Sequence, residues 1–166
     1  MREISREPQT HEFLIKALRE ASGELINELE SVREREACRH IDGEWCLADI
    51  CTHVRDFEQT QLDYVERILS RRTPALNAVN FEALVEELQP SYRDLNRAVY
   101  EYARLREQLV YLLWSLNSKQ WQRAGVHVYR GQIELLQLIR ELHLHDLEHL
   151  WHVRALRQQL AGTARA

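Results

Sequence analysis

The sequence predicts an all-α fold, a four-helix bundle formed by one domain over residues 1–166, on three observations. Four long segments repeat apolar residues at steps of three and four, the period of a helix buried along one face. There are only 3 prolines and 5 glycines, and apart from Gly23 they punctuate the chain at intervals that suit helices. No segment alternates polar and apolar residues long enough to suggest a sheet. A chain of 166 residues with 45% hydrophobic and 29% charged side chains can bury a core without staples and is not of disordered composition. Its mean hydropathy of -0.49 is ordinary for a soluble protein.

The first helix is expected over 10–37, with Thr10 as a candidate N-cap and Leu14, Leu18, Ala21, Leu25, Leu29 and Val32 as its apolar stripe. Gly23 inside it costs roughly 1 kcal/mol relative to alanine. Residues 39–44 read as a loop. The second helix is expected over 46–70, with Leu47, Ile50, Val54, Phe57, Tyr64 and Ile68 facing inward. A loop over 71–80 contains Pro74, residues 81–88 suit a short helix, and Pro90 starts or kinks the next segment. The third helix is expected over 91–116 on the stripe Leu95, Val99, Tyr102, Leu105, Leu109 and Leu112. Residues 117–131 form a connection long enough to hold local structure. The fourth helix is expected over 132–160, with Gly162 as its stop. Its stripe runs Leu135, Leu138, Leu142, His145, His149, Val153, Leu156 and Leu160, so two histidines interrupt an aliphatic row. Amphipathic helices of this length bury their stripes best against one another.

Formal charge is -4 with histidine neutral, without the basic surplus of a nucleic-acid binder. No run reaches 18 apolar residues and the segment MREISREPQTHEF lacks the apolar stretch of a signal peptide, so no membrane span is expected. Cys38, Cys46 and Cys51 match no disulfide framework, and free thiols point to a reducing, cytoplasmic setting.

His145 and His149, four residues apart, differ by about 40° around a helix and stand about 6 Å apart along it. Two neutral imidazoles so placed can reach one divalent ion, although a hydrogen-bonded pair would look the same in sequence. His53 lies about 40° from Phe57 and about 60° from Ile50, on the edge of the second stripe. It can supply a third ligand from a facing helix. His152, nearly in line with His145, is a spare candidate. His127 can approach one end of the bundle. His143, about 160° from His145, is expected in solvent. His11 and His40 fit no constellation.

Other chemistry is missing. There is no HExxH, CxxC, phosphate-cradling glycine loop or EF-hand loop. Glu141 does not complete Glu-x-x-His as a diiron bundle would require. Cys51 lies about 160° from His53, and neither Ser115 nor Ser118 has a base in pattern.

Two segments, WCLADICTHVRDFEQ and HVYRGQIELLQLIRELHLHDLEHLWHV, resemble the DinB-like superfamily, which includes YfiT-like proteins. Trp45 precedes His53 in the first. In the second, Gly131 precedes a helix that carries His145-Asp146-x-x-His149. The resemblance spans nearly the whole chain and implies a four-helix bundle. It also implies a metal site at His53, His145 and His149, with zinc or nickel as the ion, and a homodimer. Some relatives transfer low-molecular-weight thiols or isomerise substrates with their help. The chain departs from the family at His152, where relatives commonly place glutamine; a fourth histidine ligand there would close the site.

The expected function is therefore a divalent-metal-dependent hydrolase or low-molecular-weight thiol transferase acting on a small molecule. The alternative is a non-catalytic stress-response bundle with a structural or vacant site. Asp49, Asp56 and His152 are candidates for a general base. Asp49, Asp56 and Glu148 are candidates to accept the other ring nitrogens of the ligands. Asp146, about 100° from His145, is expected to tie a neighbouring helix or loop. Trp45 and Tyr129 can shape an entrance if loops bring them there, whereas Trp151 suits a surface or an interface.

Overall fold

The computed structural model describes residues 7–163; the ends of the domain expected over 1–166 lie outside them. Four long helices make the bundle: α1 (Glu7–Glu30), α3 (Leu47–Ser70), α5 (Tyr92–Trp114) and α7 (Leu135–Thr163). Three short ones join them: α2 (Glu34–Ala37), α4 (Phe81–Leu88) and α6 (Ser118–Trp121). Both α1 and α3 pack against α5 and α7, so α1 faces α3 across the bundle and α5 faces α7. Among the described residues no helix is long and apolar enough to cross a membrane.

The boundaries differ from expectation where local polar groups intervene. The segment expected as one helix over 10–37 breaks between α1 and α2. Ser31 donates its hydroxyl to the Glu28 carbonyl at 2.9 Å, a bond that competes with helix continuation. Arg33 is then extended, and its N–H donates to the Glu36 carboxylate at 3.4 Å, which restarts the chain as α2. Because α1 already begins at Glu7, Thr10 lies inside it and does not cap it. Cys46 caps α3. Ser91 caps α5: its N–H donates to Asp94 at 2.9 Å while its hydroxyl oxygen accepts from the Asp94 N–H, a reciprocal box. The last helix runs through Gly162, which does not stop it.

A small sheet was not expected. It consists of β1 (Ala75–Leu76), β2 (Ala124–His127) and β3 (Gly131–Glu134) in the order β1-β2-β3. The first pair is parallel and the second antiparallel, with Gly125 opposite Ile133 and His127 opposite Gly131. It takes the first three residues assigned to the fourth helix, so α7 begins at Leu135. Strands of two and four residues are too short to display the alternation by which strands are recognised. Gly131 has φ +73°, a conformation that glycine adopts without steric cost, and reverses the chain into β3.

Gly125 is required for close approach. A Cβ there would lie 2.8 Å from Leu76 Cγ and 2.9 Å from its Cδ1, and Leu76 is buried. Gly125→Ala is expected to destabilise the protein by about 1–3 kcal/mol, the usual cost of overpacking. An unshifted urea midpoint would show that the sheet is not packed this tightly.

The apolar core has two halves. One is built from residues such as Leu25, Leu47, Val54, Tyr102, Leu150 and Val153. The other contains Leu18, Leu62, Leu109, Trp121, Ile133 and Leu142. Between them lies a polar layer at the level of Glu58, Arg106 and Asp146, all buried.

Candidate metal centre

The same level of the bundle carries three histidines on its α3–α7 side. His53 projects from α3, and His145 and His149 from successive turns of α7. Their Nε2 atoms converge: His53 to His145 is 2.9 Å and His149 to His145 is 3.1 Å. All three residues offer a ring nitrogen within 4.8 Å of the others. Burial lowers the imidazole of His53 to about 4. Burial, with His149, His53 and Arg106 adding to it, lowers His145 to about 2. Burial, with His53 and His152, lowers His149 to about 3. At neutral pH the cluster is therefore three uncharged imidazoles, the form that ligates metal.

The donor set fits a divalent ion. The Nδ1 atoms of His53, His145 and His149 are buried without a hydrogen-bond partner among the described residues. Contacts among three neutral rings satisfy only part of their facing nitrogens, because each ring carries one proton. Nitrogens this close can each lie about 2.0–2.1 Å from a shared ion.

Aromatic packing, rather than the expected carboxylates, orients the rings. Phe57 stacks on His145 with centroids 3.8 Å apart and planes at 14°. Trp45 and Phe81 flank His53 at 5.1 and 5.7 Å. None of the three expected acceptors reaches an Nδ1. Asp49 accepts from the Cys46 N–H at 2.9 Å. Asp56 pairs with Arg55 at 2.7 Å, and Glu148 is exposed.

Asp146 goes further inward than expected. It is fully buried and takes two bonds from Arg106, Nη1 to Oδ2 at 2.6 Å and Nη2 to Oδ1 at 3.0 Å. The same guanidinium grips Glu58 through Nε at 2.8 Å and Nη2 at 2.7 Å, and donates to the Leu18 carbonyl at 3.0 Å. Tyr102 donates to Asp146 at 3.2 Å. One cation thus links all four long helices beside the histidines. Burial pushes Glu58 up from its ordinary value, and Arg106 opposes this. Sequence reading missed Glu58 and Arg106, yet a signal was present. Glu58, Arg106 and Asp146 each stand four residues after a core position (Val54, Tyr102, Leu142) and four before another (Leu62, Val110, Leu150). A charge at such a place must be paired.

The remaining candidates separate. His152 stays outside the cluster, its ring 6.3 Å from that of His149. His143 is half-buried with its Nδ1 covered, not in solvent as expected. His127 approaches Tyr64 edge-on at 6.4 Å. Trp151 is exposed on α7. Trp45 is at the site and Tyr129 is at its mouth. A cleft of about 700 Å³ opens onto His53 between α3, α4 and the sheet, with Phe57, Gln61, Tyr64, Glu82, Tyr129 and Arg130 among its walls.

No family model matches the sequence, and no curated protein matches it. Solved structures do. YfiT from Bacillus subtilis, described as a probable metal-dependent hydrolase with an unusual four-helix bundle topology, superposes with a TM-score of 0.84 at 21% identity over 97% of this chain and 93% of its own. TT2238, a four-helix bundle protein, gives 0.62 at 16% identity over 87% of this chain and 98% of its own. The mycothiol-dependent maleylpyruvate isomerase gives 0.67 at 12% identity over 88% of this chain, which spans 60% of that enzyme. The chain shares the four-helix-bundle fold of YfiT.

Proposed function

We propose that this YfiT-like bundle is a divalent-metal-dependent enzyme in which His53, His145 and His149 hold zinc or nickel. The observation that carries this is the convergence of three half-buried, uncharged imidazoles beside an open cleft. Such an ion, when bound, lowers the pKa of a coordinated water toward about 7 or holds a thiolate as nucleophile. Hydrolysis and low-molecular-weight thiol transfer are the two chemistries this supports, and the descriptions of YfiT and of the mycothiol-dependent isomerase are in line with them. The position of His152 outside the cluster favours three protein ligands over four. It therefore favours a site with exchangeable positions over a closed structural one.

The walls of the cleft define what the chain itself contributes. Trp45, Phe57 and Phe81 exclude water from one side of the imidazoles. Gln61 and Tyr129 offer polar atoms to a small-molecule substrate, while the Tyr64 hydroxyl is held by the Asn77 carbonyl. Arg130 is held by Glu141 at 2.6 and 2.8 Å, while Glu82 is exposed at the rim. Glu82 is placed better than Asp49 or Asp56 to take a proton, because those two are engaged away from the cleft. The reading includes a cytoplasmic homodimer.

The test uses untagged protein loaded separately with zinc and nickel. It is assayed with activated esters and amides, and with thiol cofactors plus electrophilic substrates. Turnover in one panel that needs the metal and falls on the order of 10²-fold or more in Glu82→Gln, the upper range for general acid–base catalysis being about 10⁴, supports the reading. Metal loading with no turnover in either panel would favour a non-catalytic bundle.

A further inference from the structure

The loop between α2 and α3 holds a second cluster of metal-ligating side chains that shares no residue with the histidine centre. Ligand atoms of His40, Cys46 and Asp49 all lie within 4.8 Å of one another. His40 Nδ1 is 3.6 Å from Asp49 Oδ2, and the same carboxylate oxygen accepts the Cys46 N–H at 2.9 Å. Cys38, the C-cap of α2, lies beside them, with its thiol donating to the Pro90 carbonyl at 3.5 Å; burial, and then the Asp49 carboxylate, push that thiol up from its ordinary value. Three donors of three kinds thus meet within the segment CRHIDGEWCLAD, and a second thiol stands at their edge, from which it joins them by turning away from Pro90.

Capping alone does not account for this set. An N-cap is best supplied by serine, threonine, aspartate or asparagine, whose oxygens accept strongly. Cys46 brings a weak acceptor to the start of a 24-residue helix, and its buried sulfur faces the Ala48 and Asp49 N–H groups. Burial, with the Asp49 carboxylate, nevertheless pushes this thiol up to about 12, so it stays protonated until an ion displaces the proton. Nor does capping require a second thiol at Cys38 or an imidazole turned toward Asp49.

We propose that Cys38, His40, Cys46 and Asp49 form a second, structural metal site selective for zinc. Two thiolates and an imidazole are a soft donor set that prefers zinc to magnesium or calcium, and four protein ligands make the closed site typical of structural zinc. Binding one ion releases the two thiol protons. The His40 Nδ1 proton, shared with the Glu44 carbonyl at 2.9 Å, moves to Nε2 on the exposed side of the ring as Nδ1 takes the metal. The ion would fix the loop that carries Trp45, whose ring lies 5.1 Å from that of His53. The second site thereby sets one wall of the first.

The experiment uses untagged protein kept reduced with a phosphine, titrated with cobalt(II) and then with zinc in competition. Wild type and His149→Ala are both expected to show a sulfur-to-cobalt charge-transfer band that zinc abolishes, with about two protons released per zinc bound at this site. Cys38→Ser and His40→Ala alter exposed residues and leave the buried Cys46 in place. Each is expected to weaken the ion at that band on the order of tenfold or more, since even outer contacts to a metal site contribute 10–100-fold. No thiolate band in wild type, or a band unchanged in both variants, overturns the proposal. Loss of the band in His149→Ala alone would also overturn it, because the ion would then belong to the histidine centre.

Discussion

Arg106→Met is expected to destabilise the protein by about 3–5 kcal/mol, the cost of breaking a buried ion pair from one side. The guanidinium is 3% exposed and satisfies both Glu58 and Asp146. Its removal leaves two buried carboxylates facing each other, one of which must take a proton or draw in water. The loss exceeds that of trimming an apolar neighbour, because the polar layer lies where both halves of the core meet. Asp146→Ala is expected to be milder, since Arg106 keeps Glu58 and the Leu18 carbonyl. Replacing Glu58, Arg106 and Asp146 together with apolar residues of similar volume should recover most of the stability, as buried ionic triads and apolar cores are often near-equivalent. Urea unfolding of the three variants decides the matter. A single-variant loss under about 1 kcal/mol, the value typical of exposed pairs, would mean that the layer is wet.

His149→Ala is expected to lower metal affinity on the order of 10²-fold or more, given that outer contacts alone are worth 10–100-fold. His53→Ala and His145→Ala should match it, whereas His152→Ala should bind as wild type does. The reason is geometric: the three Nε2 atoms share one point, with separations of 2.9 and 3.1 Å between pairs, and the His152 ring stands apart. Elemental analysis after dialysis, without an affinity tag to scavenge nickel, measures it. Equal loss of metal in His152→Ala would sink the three-ligand reading and revive the closed, four-histidine alternative. The variants should also gain tolerance to acid in the metal-free state. Each buried imidazole held below its ordinary value subtracts stability as pH falls below about 6.5, the ordinary histidine value.

The four long helices and the pairing of His145 with His149 were legible in period and spacing, whereas the addition of His53 to them was what the family resemblance implied. Period and spacing along one helix are local properties, and the face of α7 that buries Leu142 and Val153 necessarily carries the two histidines between them. The tertiary structure decided everything that depends on which elements meet. The sheet formed by residues 75–76, 124–127 and 131–134 had no local signature, because strands that short are specified by partners distant in sequence. Asp146 could be placed about 100° from His145 by counting, but only packing showed Arg106 of α5 and Glu58 of α3 closing on it. His40 fitted no pattern as a string of letters. It acquires one when the turn before α3 folds it back toward Asp49 and Cys46, since a loop has no fixed period from which such a meeting could be read.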